Sequence, residues 1–284
     1  MIEVYAFLAA FALLIPAVSV LVPSGFIRSI RAKTRTIPTE HFAALGIDFD
    51  RIQARYLARY RVVSVVIAVV GVLLLAWLSN YMLHTDWHRN TVTALVFGYA
   101  MLMSPPMIHI SRLQYKYYKQ VRNAFPDGKR KATLQRRRLF DFVSPMVVSL
   151  AVLAYFLFAG LVIYLRQHPF PGFGGFANLG IITIMYAFNA FLIFKQMYGR
   201  KHPLQTQEDR VLTLGAKIRL YVYLTLFIVV FVSLRLTLSA LGLNQWAPFS
   251  QCVYVLVIAL FAYLLMTAQP RKPEDDGFGL ELST

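Results

Sequence analysis

Residues 62–83 read "VVSVVIAVVGVLLLAWLSNYML", and no residue among them carries a charge. A bilayer's hydrocarbon core is about 30 Å thick, and about 20 helical residues cross it. A backbone in lipid must satisfy its own hydrogen bonds, so this run is predicted to be a helix. Basic "RYLARYR" precedes it at 55–61, and polar "LHTDWHRN" overlaps its end at 83–90.

Working outward, six more runs have the same character, at 4–22, 91–110, 143–165, 176–194, 220–241 and 250–268. The composition agrees: 58% of the 284 residues are hydrophobic, and the mean hydropathy is +0.56. A soluble domain of this length has too little interior for so much apolar surface. The expected fold is all-α: a polytopic integral membrane protein with seven transmembrane helices in a single domain over 1–268. Polar "QPRKPEDDGFGLELST" follows, and the tail 269–284 is expected to be disordered.

The net charge of +16 is unevenly placed. Residues 23–61 hold eight Lys/Arg, 112–141 hold ten, 195–219 hold six, and the tail adds Arg271 and Lys272. These alternate segments hold 26 bases, the intervening loops only Arg89 and Arg166, and Arg235 lies inside a span. The positive-inside rule then predicts an outer N-terminus and a cytoplasmic C-terminus. Trp77, Trp87 and Trp246 fall near the outer boundary, while Tyr56, Tyr60, Tyr115, Tyr117, Tyr118, Tyr198 and Tyr221 fall near the inner one. "MIEV" offers no base ahead of the first run, which argues against a signal peptide. The localisation expected is a plasma membrane, the inner membrane of a bacterium.

The spans are ordered as one helix and three hairpins, turning outside at 84–90, 166–175 and 242–249. A basic segment leads into each hairpin: "RYLARYR", "LQRRRLF", "GAKIRLY". Any hairpin with its ends inside looks like this, so the pattern does not require an internal repeat. Asp48 or Asp50 is positioned to cap the helix entering the second span, on which Arg51, Arg55 and Arg59 form one stripe. Thr206 is a candidate cap for the helix entering the sixth. Pro16 should kink the first span, and Pro105 with Pro106 should bend the third. Pro145 after Ser144 is an ordinary helix start.

Four candidate sites emerge. His84 and His88 are four apart, so on a continuous helix they could share a zinc or copper ion. Asp86 would point away, and His168 in the next outer loop is the available third ligand. A polar interfacial loop explains the same residues without a metal. Arg235 in "VFVSLRLTLSAL" is an intramembrane charge, a functional-site hypothesis by default. It could snorkel to headgroups, pair with Glu3 at the outer end of the first span, or hold an anion. Asn178, Thr183 and Asn189 are candidates to bridge helices. The loop at 112–138 presents Arg112, Lys116, Lys119, Lys129, Arg130, Lys131, Arg136, Arg137 and Arg138 to anionic headgroups or to an acidic protein partner. Nucleic acid is a weaker fit, because the interleaved tyrosines are already explained by the interface.

Several chemistries lack their residues. There is no HExxH, no Gly-rich phosphate loop and no nucleophile elbow. The apolar runs hold no Asp or Glu for a carboxylate proton relay, and the seventh holds no lysine for a retinal Schiff base. Cys252 is alone and reads as a small buried hydrophobe. Met101, Met103 and Met107 read as packing residues. No enzyme activity and no cofactor are expected. Two functions remain: a sensor, assembly factor or complex subunit acting through basic cytoplasmic helices, or a small transporter or channel for an anionic solute that uses Arg235.

Overall fold

The computed structural model describes residues 1–34, 42, 45–85, 87–124, 138–199 and 207–267. Among these the chain is all-helical, and seven helical segments are long and apolar enough to cross a membrane. The first span comprises α1 (Ile2–Pro16), a π-helical turn (Ala17–Leu21) and α2 (Val22–Thr34). The second is α3 (Phe49–His84). The third is α4 (Arg89–Met101) with α5 (Ser104–Ala124). The remaining spans are α6 (Pro145–Gln167), α7 (Phe176–Tyr198), α8 (Gln207–Ala240) and α9 (Ala247–Thr267). The tail from 269 and the Thr206 cap lie outside the described residues.

The prolines act where the sequence places them. Pro16 offers no N–H, and the helix widens immediately after it: the Val22 N–H reaches back five residues to the Ala17 carbonyl. Ser19 within this turn donates its hydroxyl to the Ile15 carbonyl at 2.7 Å. In the third span the helix breaks at Leu102–Met103. Pro105 and Pro106 then occupy the first turn of α5, where an N–H would lack a helical partner in any case. Ser144 caps α6 with Pro145 at its first turn, and Asp48 caps α3 by accepting the Arg51 N–H at 3.0 Å.

Chain order is one helix and three hairpins, but the packing groups are different. A first lobe gathers the first span, α3, α4 and α9 around one apolar core that includes Phe7, Phe11, Leu14, Leu78, Val92, Val96 and Cys252. A second lobe gathers α6, α7 and α8, with α8 packed along both of the others. Its cores are Phe158, Val162, Ile182 and Val229 in one layer, and Phe142, Met197, Leu214 and Ile218 in another. The last helix, α9, follows α8 in the chain and packs against it, yet it belongs to the first lobe.

Among the described residues, the helix ends that adjoin the basic segments lie toward one end of the bundle, the basic end. There the extensions of α3 and α5 are clamped by a small aromatic cluster. Phe42 stacks on Phe49 with centroids 4.3 Å apart, and Tyr118 and Val121 complete the group. Tyr117 on α5 also meets the Phe49 ring edge-on, with centroids 6.3 Å apart. The Arg51, Arg55 and Arg59 stripe is exposed, as are Arg112, Lys116 and Lys119.

Candidate functional site at the junction of the lobes

Arg235 lies on α8, five residues before the helix ends at Ala240. At 1.5 Å per residue it sits roughly 7 Å inside that end. The residue is half-buried, and its Nη1 is fully covered with no hydrogen-bond partner. Burial withdraws the guanidinium from water, and among the described residues the charge within electrostatic range of it is another cation, Arg89, at the start of α4. Arg166, the other base at this end, has a partner: its guanidinium lies 4.3 Å from the Phe176 ring centroid.

Other polar groups share the depth of Arg235. Thr93 lies four residues inside α4, and its Oγ1 is buried without a partner. Gln251 lies four residues inside α9 and is 6% exposed. Each position is therefore about one helical turn from the end opposite the basic one. α9 packs against both α4 and α8, so the three helices that carry these residues meet where the lobes join. The Thr237 hydroxyl is not available to it, since it donates to the Ser233 carbonyl at 2.9 Å.

A guanidinium nitrogen sealed from water without an acceptor is costly. Among the described residues no acid pairs with either arginine, so the two cations add repulsion. Both terms would be relieved by one anion, and a guanidinium suits a carboxylate or phosphate because its planar fork donates two parallel hydrogen bonds.

The expected ion pair between Glu3 and Arg235 does not form. The Glu3 carboxylate lies 3.2 Å from the amino group of Met1. The first span packs against α3 and α9, and α8 reaches the first lobe through α9, which keeps the two charges apart.

No protein family, curated protein or solved structure matches the chain. The site therefore rests on its own residues.

The histidine geometry assumed from the sequence also fails. α3 ends at His84, Thr85 is extended, and His88 is the residue preceding α4, so no helix carries both. His84 Nδ1 lies 3.0 Å from the Asn80 carbonyl. His168 ends α6 in the other lobe with its ring against Tyr164. Among the described residues no three His, Cys, Asp or Glu side chains gather. Asp86 lies outside the described residues, as do Lys129, Arg130, Lys131, Arg136 and Arg137. Arg138 is described and exposed, just ahead of α6.

The polar bridging predicted for the fifth span is present for two of its three residues. Asn189 donates to Thr225 Oγ1 on α8 at 2.9 Å, and both residues are buried. Thr183 shares a 2.8 Å hydrogen bond with the Tyr155 hydroxyl on α6. The Asn178 amide nitrogen is buried without a partner. Arg89, Thr93 and Gln251 were not legible as site residues in the sequence. Arg89 and Thr93 stand four apart on α4, but Gln251 and Arg235 stand on α9 and α8, and no spacing in the sequence links the three helices.

Proposed function

We propose that this is a non-enzymatic integral membrane protein that binds an anionic solute at the junction of its two lobes, in the manner of a small transporter. The observation that carries the reading is the buried, unpartnered Nη1 of Arg235, with a second arginine within electrostatic range. The charge asymmetry supports a cytoplasmic basic end, which would set the junction at the outer face of a plasma membrane, the inner membrane of a bacterium. Because α9 packs on both lobes, an anion bridging Arg235 and Arg89 would act on the lobe–lobe contact itself. Small shifts at such packed interfaces convert into rigid-body rearrangement, the usual basis of alternating access.

The test is binding of acetate and of inorganic phosphate to the purified protein in detergent, read by calorimetry and by the shift in thermal midpoint. Wild type should bind at least one of the two. Arg235→Gln should lose binding by about ten-fold or more, since a charge-assisted bond contributes about 1.5–3 kcal/mol. Arg235→Lys should retain part of it. Flux of the bound anion into liposomes should follow the same order. A wild type that responds to neither anion, by heat or by midpoint, rules the reading out.

A second reading has its own support. The exposed rows Arg51–Arg55–Arg59 and Arg112–Lys116–Lys119 stand on helices fixed by the Phe42, Phe49 and Tyr118 cluster. Rigid basic helices of this kind suit a sensor or complex subunit that docks on anionic lipid or an acidic partner. Native mass spectrometry after mild extraction distinguishes it: a stoichiometric protein partner favours docking, and a homo-oligomer or monomer favours transport.

A further inference from the structure

α6 and α7 leave the hairpin turn at 168–175 together, tied in mid-span by Tyr186 donating to the Ala151 carbonyl and by the Tyr155–Thr183 bond. Toward the basic end both are held chiefly by α8, and a groove of about 590 Å³ opens on the membrane-facing side of α7. Its floor is Leu139, Ile193 and Met197, which continue into the apolar layer of Phe142 and Ile218. Its wall is Phe194 and Tyr198, both largely exposed at 62% and 61%. Its rim is Arg138.

The chemistry of the groove changes along its length. Apolar side chains line the part that lies within the membrane. Arg138 stands at the basic end, ahead of α6, and Tyr198, an amphipathic ring suited to a headgroup layer, lines the same end. Arg138 makes no ion pair with any described residue. The acid beside it, Asp141, is engaged by accepting the backbone N–H of Arg138 at 2.8 Å. Lys195, in the last turn of α7, adds a second positive charge at the same end.

We propose that this groove is a binding site for one anionic phospholipid, an acyl chain lying along Ile193, Phe194 and Met197 and the headgroup phosphate bound by Arg138. The volume lies in the range of ordinary ligand pockets, about 300–1,000 Å³. The apolar part selects for a lipid over a soluble anion, and the guanidinium, paired with no acid among the described residues, selects for negative charge over zwitterionic headgroups. This site lies at the basic end of the second lobe and is separate from the Arg235 junction, so the two can fail independently.

Native mass spectrometry of the full chain in detergent, titrated with phosphatidylglycerol and with phosphatidylcholine, tests the proposal. Wild type should retain one phosphatidylglycerol in preference to phosphatidylcholine by about five-fold, the equivalent of about 1 kcal/mol for one base near an anionic surface. Arg138→Gln should bring the two lipids to parity, and Arg138→Lys should keep most of the preference. Ala190→Trp, which fills the groove from α7, should reduce retention of both lipids. Circular dichroism of each variant separates loss of the site from loss of the fold. Equal retention of the two lipids by wild type, or an unchanged preference in Arg138→Gln, overturns the proposal; so does undiminished retention in a folded Ala190→Trp.

Discussion

The two lobes solve the same problem in different ways. Lipid tails are as apolar as leucine, so burial from water does not drive one transmembrane helix onto another. Association must come from close packing or from hydrogen bonds between helices. The first lobe relies on packing. Half of the apolar window of its first span is buried inside the protein, against 11% for α7 in the second lobe. Gly71 lets α3 approach so closely that an added Cβ would stand 2.5 Å from the Tyr99 hydroxyl and 3.0 Å from Ile15. Gly25 does the same between α2 and Tyr263 of α9. Three of its buried serines, Ser19, Ser64 and Ser250, bond back to their own helices. The second lobe relies on bonds that cross between helices: Asn189 to Thr225, Tyr155 with Thr183, Tyr186 to the Ala151 carbonyl, and Arg219 Nε to the Phe142 carbonyl at 3.0 Å. A lobe with few buried side chains is held by polar cross-links, and a lobe with many is held by shape.

The largest effect that would break this comparison lies at Gly71. Gly71→Leu should destabilise the first lobe by overpacking, about 1–3 kcal/mol, read as a lower thermal midpoint in detergent. Gly180 on α7 has open space around its Cβ position, so Gly180→Leu should leave the midpoint unchanged. Equal responses at the two glycines would mean that the lobes do not differ in packing.

A smaller effect is expected from Asn189→Leu. Interhelical hydrogen bonds in membranes contribute about 0.6 kcal/mol on average, with values up to about 1.7. Its effect should vanish in the Thr225→Val background, because the bond has already been removed there, so a double-mutant cycle should show a coupling of about the bond's size. A full additive loss would show that the two side chains act separately.

The smallest and sharpest test compares two tyrosines. Tyr186→Phe removes a hydroxyl that donates to the Ala151 carbonyl and should cost about 0.6 kcal/mol. Tyr99→Phe removes a buried hydroxyl with no partner and should cost nothing or stabilise, because no bond is lost and a desolvated polar group is relieved. It should also soften the effect of Gly71→Ala, since Oη is the atom nearest the added methyl. Chemical denaturation of the four variants in one detergent measures both statements. If Tyr99→Phe is the more damaging of the two, the packing account of the first lobe is wrong.

Much of the architecture was legible because its causes are local. Long uncharged runs force helices in lipid, and the seven segments of the structure coincide with the seven runs of the sequence. Pro16, Pro105–Pro106 and the Ser144–Pro145 start act through their own backbones, so their consequences follow from position alone. Asn189 and Thr183 could be read as bridging groups because a polar side chain in an apolar helix has few alternatives. The partners could not be read, since Thr225 is 36 residues from Asn189 and Tyr155 is 28 from Thr183. The His84–His88 geometry failed because a helix was assumed to continue where the chain becomes extended at Thr85. The Glu3–Arg235 pair failed because depth in the membrane is visible in sequence and neighbourhood is not.

The sequence by itself determined the number of spans, their order, their breaks and the gathering of positive charge at alternate ends, because hydrophobic length, proline geometry and charge act within a segment. Only the tertiary structure decided that α9 leaves its hairpin partner's lobe to join the first span. It alone set Arg235 near Arg89, at the depth of Thr93 and Gln251. Those are choices among helix faces that lipid treats alike, and they are settled by which side chains fit together.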